Sequence, residues 1–187
     1  MKRLNRYTLV AAKVLEVLHW FGVAAVAVLL VLSFAAPDTA GWLFSGLPKD
    51  LNVYGFEVGI SGAEGALSLP AVRLALAVAI PILSLMAMVF RNVYLIFQTA
   101  EEKTWFSTGK TPFQKDVVRM VREIGIFYAS IPVLGLILSI IGRLTFQATP
   151  AEFSVNLSGI VTGVLMLCLS QVFAYGMALQ ADVDGLL

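Results

Sequence analysis

Four stretches of this chain run for about twenty residues with almost no charge: Val14 to Ala36, Val72 to about Phe97, Ile126 to about Leu144, and Ser158 to about Leu179. A helix of roughly 20 apolar residues crosses a hydrocarbon layer of about 30 Å. A water-soluble domain of 187 residues would leave four such helices with too much apolar surface to hide. The chain is therefore expected to be a single all-α integral membrane domain, a four-transmembrane-helix bundle. Charged residues make up only 13% of it, about half the share usual in soluble domains, and the mean hydropathy is +0.87. The basic start "MKRLNRY" resembles the head of a secretory leader. The apolar run behind it exceeds the ~7 to 15 residues of a signal core, so a retained helix is expected.

Orientation follows from the cations. Lys2, Arg3, Arg6 and Lys13 precede the first span; Lys103, Lys110, Lys115, Arg119 and Arg122 lie between the second and third, and Arg91 sits near the same end of span two. Only Lys49, Arg73 and Arg143 fall on the other side, a split of ten to three. The positive-inside rule then places both termini and the central loop in the cytoplasm. With a net charge of +1, no global field calls for nucleic acid.

The outer segments carry strand signals. In "NVYGFEVGI", Tyr54, Phe56, Val58 and Ile60 alternate with Gly55, Glu57 and Gly59, and "EFSVNL" repeats the pattern with Phe153, Val155 and Leu157. A period of two marks a strand with one buried face, so a small extracytoplasmic β cap of two to four strands over the bundle is expected. The alternative is an irregular loop settling on headgroups through Trp42 and Phe44. Pro81 and Pro132 lie inside spans two and three, where a missing backbone donor invites a kink. Gly159 and Gly163 form a GxxxG, and Gly135, Ser139 and Gly142 lie near one face of span three. Small residues at that spacing let helix backbones approach closely, within one chain or between copies of a homo-oligomer.

Ionisable groups inside a span are costly and mark functional candidates. Glu16 and His19 are one turn apart in span one, Arg91 lies about two turns from the end of span two, and Ser170, Gln171 and Tyr175 occupy the same half of span four. Brought together, Arg91 would pair with Glu16 while Gln171 or Tyr175 satisfied the remaining donors. Such a layer suits a small polar or anionic ligand, or a proton-sensitive pair at Glu16 and His19. The competing reading is that Arg91 snorkels to headgroups and Glu16 pairs with Lys13 or Arg91 only to become cheaper in lipid. No catalytic set can be assembled from these residues, and the single Cys168 and single His19 provide neither a disulfide nor a metal-ligand spacing. No enzyme, cofactor or metal is expected.

The longest charged stretch, "GKTPFQKDVVRMVREIG" from Gly109 to Gly125, reads as a helix start. Thr111 suits the N-cap, Pro112 the first helical position and Gln114 the capping box. Phe113, Val117, Val118, Val121 and Ile124 fall on one side; Lys115, Asp116, Arg119, Arg122 and Glu123 face elsewhere. An amphipathic cytoplasmic helix lying on anionic headgroups is expected, joined to span three at Gly125. Trp105 and Phe106, just before it, could anchor at the interface or dock a partner.

This stretch resembles the Gly-x-Pro-Phe block, basic amphipathic helix and Ile-Gly of a bacterial family of four-span membrane proteins, domain of unknown function 2975. "SQVFAYGMALQADVDGLL" is similar to that family's closing pattern, here Val172, Phe173, Tyr175, Gly176, Leu179, Gln180, Asp182 and Asp184. Asp116 and Val117 depart from an Asn-bearing helix start, and "VDGLL" is less acidic than the usual ending. The resemblance implies a cytoplasmic face that holds or releases a small helix-turn-helix regulator, through the segment from Pro112 to Glu123 and the tail from Gln180. No direct contact with nucleic acid is expected from the residues themselves, because the basic helix is read as committing its apolar face to the membrane. Three functions follow: a membrane sensor or scaffold acting on a cytoplasmic partner, a small transporter using the polar layer, and an accessory subunit packing through Gly159 and Gly163.

Overall fold

A computed structural model describes residues 2–46, 48, 50–61, 67–109, 111–145 and 153–184. In chain order these form α1 (Lys2–Ala35), α2 (Pro37–Phe44), β1 (Asp50–Val53), β2 (Phe56–Gly59), α3 (Leu69–Ala100), α4 (Lys115–Thr145), β3 (Phe153–Val155) and α5 (Ser158–Asp184). Helices α1, α3, α4 and α5 are long and apolar enough to cross a membrane. They outrun the apolar stretches, because helix propensity does not stop where hydropathy falls: nothing from Lys2 to Phe21 is Gly or Pro, so α1 continues through its basic start. Helices α3 and α4 likewise run through Pro81 and Pro132. Helix α3 is the most enclosed, with 50% of its apolar window buried against 6% in α1 and 11% in α5.

Helix α2 stands where the alternative reading put an irregular loop through Trp42 and Phe44. Pro37 stands in its first turn, where a fixed φ and a missing donor cost nothing, and Asp38 complements the positive end. Helical positions two residues apart diverge by about 200°. Trp42 is accordingly exposed while Phe44 is buried beside Ala40, so only Trp42 remains available to a headgroup layer.

The chain divides into two compact units, one of Met1–Leu18, Leu85–Ala129 and Gly159–Leu187, the other of His19–Ser84 and Ser130–Ser158. The second holds an antiparallel sheet in the order β1-β2-β3, with Val53 opposite Phe56 and Phe56 opposite Val155. Phe56, Val58 and Ile60 are buried, whereas Tyr54 falls in the turn and is exposed. Tyr54 (φ 51°) and Gly55 (φ 85°) take positive φ together, as a two-residue type I′ hairpin requires. Asn52 accepts from the Gly55 N–H (3.1 Å) and donates to Glu57 (2.6 Å), tying the turn down. A Cβ on Gly55 would stand 2.9 Å from Cβ of Asn156, whose N–H donates to the Gly55 carbonyl. Gly55→Val is expected to cost about 1–3 kcal/mol through strain at positive φ and this clash, read as a lower melting temperature in detergent; an unchanged melt would show that the turn is formed otherwise.

The sheet does not simply sit over helix ends. Arg73, near the start of α3, donates to the Ser33 carbonyl (2.5 Å) and lies over the Phe34 ring. Tyr54 meets His19 Nε2 (2.5 Å), fourteen residues earlier in α1, which is about 21 Å along a helix axis. The hairpin tip thus reaches the middle of α1.

The first unit corrects the reading of Gly109 to Gly125. Helix α4 begins at Lys115 rather than Pro112. The Gln114 carbonyl takes the Val118 N–H (3.0 Å) and is the cap, while Thr111 spends its hydroxyl on the Phe113 N–H and on Gln180. Nor is there a separate surface helix hinged at Gly125, since α4 continues unbroken to Thr145. Val117, Met120 and Val121 are buried, and Leu95, Ile96, Phe106 and Phe173 pack on them. An apolar face already covered by protein is not free to lie on lipid.

Candidate functional site

Helix α3 ends in a Schellman motif: the Lys103 N–H reaches the Gln98 carbonyl (2.9 Å) and the Glu102 N–H that of Thr99 (3.1 Å), with Glu102 at φ 57°. The chain then doubles back to α4 around one side chain. Gln114, 3% exposed, donates to the carbonyls of Gly109 (2.6 Å) and Thr111 (2.7 Å) and accepts from the Thr108 N–H (2.9 Å). Ser107 and Thr104 close on buried Thr99 through its carbonyl (2.8 Å) and hydroxyl (3.1 Å). A buried amide with its donors and acceptor satisfied specifies one loop conformation. Phe106 docks on the Val117 cluster, and Trp105, edge-on to Phe106, is 95% exposed. The loop is held, and its largest side chain points away from it.

The two blocks that carry the family resemblance meet here. The Phe113 ring lies on Gly176, at 2.6 Å from where a Cβ would stand, and 5.8 Å from the Phe173 ring; Thr111 donates to Gln180 (2.9 Å). Pro112 is exposed between them. Further along, α4 and α5 touch backbone to backbone: a Cβ on Gly163 would lie 2.7 Å from the Gly125 carbonyl oxygen, and one on Gly125 would lie 2.8 Å from that of Gly163. Gly125 is thus a packing position opposite Gly163. Gly135 is buried in α4 and Gly159 half-buried in α5. Gly142 lies in α4, near its end.

The polar residues within the long apolar helices do not form the expected layer. Buried Glu16 accepts from Lys13 (3.0 Å), whose ammonium lies over the Tyr94 ring, and Tyr94 in turn accepts from Gln98 (2.9 Å). This joins α1 to α3 without Arg91. Arg91, Gln171 and Tyr175 are exposed, and His19 is engaged with Tyr54. A part-buried polar contact between α3 and α4 is made instead by buried Asn92, which donates to Glu123 (3.0 Å). Neighbouring helical positions diverge by about 100°, so Arg91 is exposed while Asn92, one residue on, faces inward. On α4, Lys115, Arg119 and Arg122 are exposed, with Arg119 held between Asp116 (3.3 Å) and Glu123 (3.6 Å); exposed pairs of this kind add little stability. Among the described residues no three His, Cys, Asp or Glu side chains gather as metal ligands do.

Comparison with protein-family models, with curated proteins and with solved structures returns no match.

Proposed function

We propose that this chain is a multi-pass protein of a bacterial inner membrane, of the domain of unknown function 2975 kind, that acts as a regulator or scaffold for a cytoplasmic partner. The observation that carries this reading is Trp105, 95% exposed on a loop locked by Gln114. Binding energy at protein interfaces concentrates in aromatic anchors, and an anchor already held in place loses little entropy on docking. The charge bias supports a cytoplasmic loop, for which a soluble protein is the fitting partner, and the resemblance points to a small helix-turn-helix regulator.

The exposed Asn52, Tyr54 and Glu57 of the hairpin belong to the segment that the charge bias assigns to the outer side. An outer hairpin with exposed polar groups and an inner aromatic anchor on one chain suit a protein that passes an envelope condition inward. The exposed apolar residues of α1 and α5 meet lipid or, in a homo-oligomer, further copies of the chain.

The test is recovery of soluble proteins from the native host with tagged protein in mild detergent. Wild type should recover a small DNA-binding regulator, and Trp105→Ala should recover at least about tenfold less. Absence of any soluble protein, or equal recovery by both, would count against the proposal.

A further inference from the structure

Beside the start of α4 lies a groove of about 360 Å³, lined by Lys115, Asp116, Val118, Arg119, Arg122 and, from α5, Ala174 and Met177. Three cations and one carboxylate give its lining an excess of two positive charges. Arg119 is engaged by Asp116 and Glu123, whereas Lys115 and Arg122 have no ion-pair partner among the described residues. Lys115 is the first residue of α4, so the positive end of the helix macrodipole adds to the same field. Lys115, Arg119 and Arg122 recur at helical spacing on one stripe of α4, and that stripe goes on as the exposed apolar residues Ile126, Val133 and Ile137. A run that is basic for two turns and then apolar matches a molecule with a phosphate head and a hydrocarbon tail.

We infer that this groove binds the phosphate headgroup of one anionic phospholipid. Lys115 and Arg122 take the phosphate oxygens, Arg119 is steadied by its carboxylates, and Val118, Ala174 and Met177 receive the glycerol carbons. The inference rests on the membrane placement proposed above and deepens it: bilayer composition would act where α4 and α5 meet, next to the loop that carries Trp105.

Native mass spectrometry of the full chain in detergent tests this, with phosphatidylglycerol or phosphatidylcholine added and, in a separate arm, inorganic phosphate. Wild type and the exposed-cation control Arg91→Gln should each retain one phosphatidylglycerol, at least about tenfold more than phosphatidylcholine. The double variant Lys115→Gln/Arg122→Gln should lose that preference, as should Ala174→Leu, which fills the groove. Equal retention of the two lipids by wild type, or undiminished phosphatidylglycerol on the double variant, overturns the site. Displacement of the lipid by inorganic phosphate assigns the groove to soluble phosphate esters and overturns the lipid reading. Carbonate extraction of native membranes reports on membrane placement separately: resistance to extraction without lipid preference sinks the groove alone, while release by carbonate sinks the placement beneath it.

Discussion

Gly163→Val is expected to abolish most of the folded protein recovered in detergent. Its new Cβ would meet the Gly125 carbonyl oxygen at 2.7 Å, Cβ of Ala129 at 2.8 Å and the Ala129 nitrogen at 2.9 Å. Two of these are backbone atoms of α4, which cannot rotate away, so α4 and α5 must separate along their length. Overpacking costs about 1–3 kcal/mol where side chains can yield and more where they cannot. In a protein of ordinary stability, a loss at or above that range removes a large part of the folding free energy. Fluorescence-detected size exclusion after a heating series reads it out. Gly41→Ala is the control, since a Cβ there meets nothing within 4 Å. A wild-type melt for Gly163→Val would mean that the two backbones do not touch.

The second large effect belongs to Gln114→Leu. The replacement is of similar size, but it strands the carbonyls of Gly109 and Thr111 and the N–H of Thr108 in a place where Gln114 is 3% exposed. A buried polar group left without its partner costs about 1–3 kcal/mol. The expected result is local: hydrogen exchange across residues 101–109 should accelerate by at least about tenfold, with the melting of the α4 and α5 contact less affected. Partner recovery should fall as far as it does for Trp105→Ala, although Trp105 itself is intact. Fast exchange with full recovery would separate loop rigidity from binding and remove the argument from a fixed anchor.

The contrast between these positions shows what could be read from sequence. Gly163 was visible as half of a GxxxG, and the four long helices were visible in the apolar runs, because both signals are local. That Gly163 faces Gly125 was not: Gly125 follows Ile124 at the end of a charged segment and looks like a joint. In sequence Gln114 reads as a capping-box residue three positions after Thr111. Its actual role, as both cap and loop clasp, depends on Thr99, Thr108 and Gly109 returning to it, and spacing alone does not disclose that. The strand alternation correctly marked Phe56, Val58 and Ile60 as one buried face. A period of two says which face is buried and not where the sheet docks, so the meeting of Tyr54 with His19 was out of reach. Arg91 and Glu16 failed to pair because Lys13, one turn before Glu16, is nearer and needs no long-range alignment.

Everything proposed about partner and lipid depends on which side of a bilayer the loop from Glu101 to Gln114 occupies. With Cys168→Ser as background, single cysteines at Trp42 and Trp105, both exposed, can be labelled with a membrane-impermeant maleimide before and after lysis of spheroplasts. The account predicts that Trp42→Cys is labelled in intact spheroplasts and Trp105→Cys only after lysis. Labelling of Trp105→Cys in intact spheroplasts would contradict it.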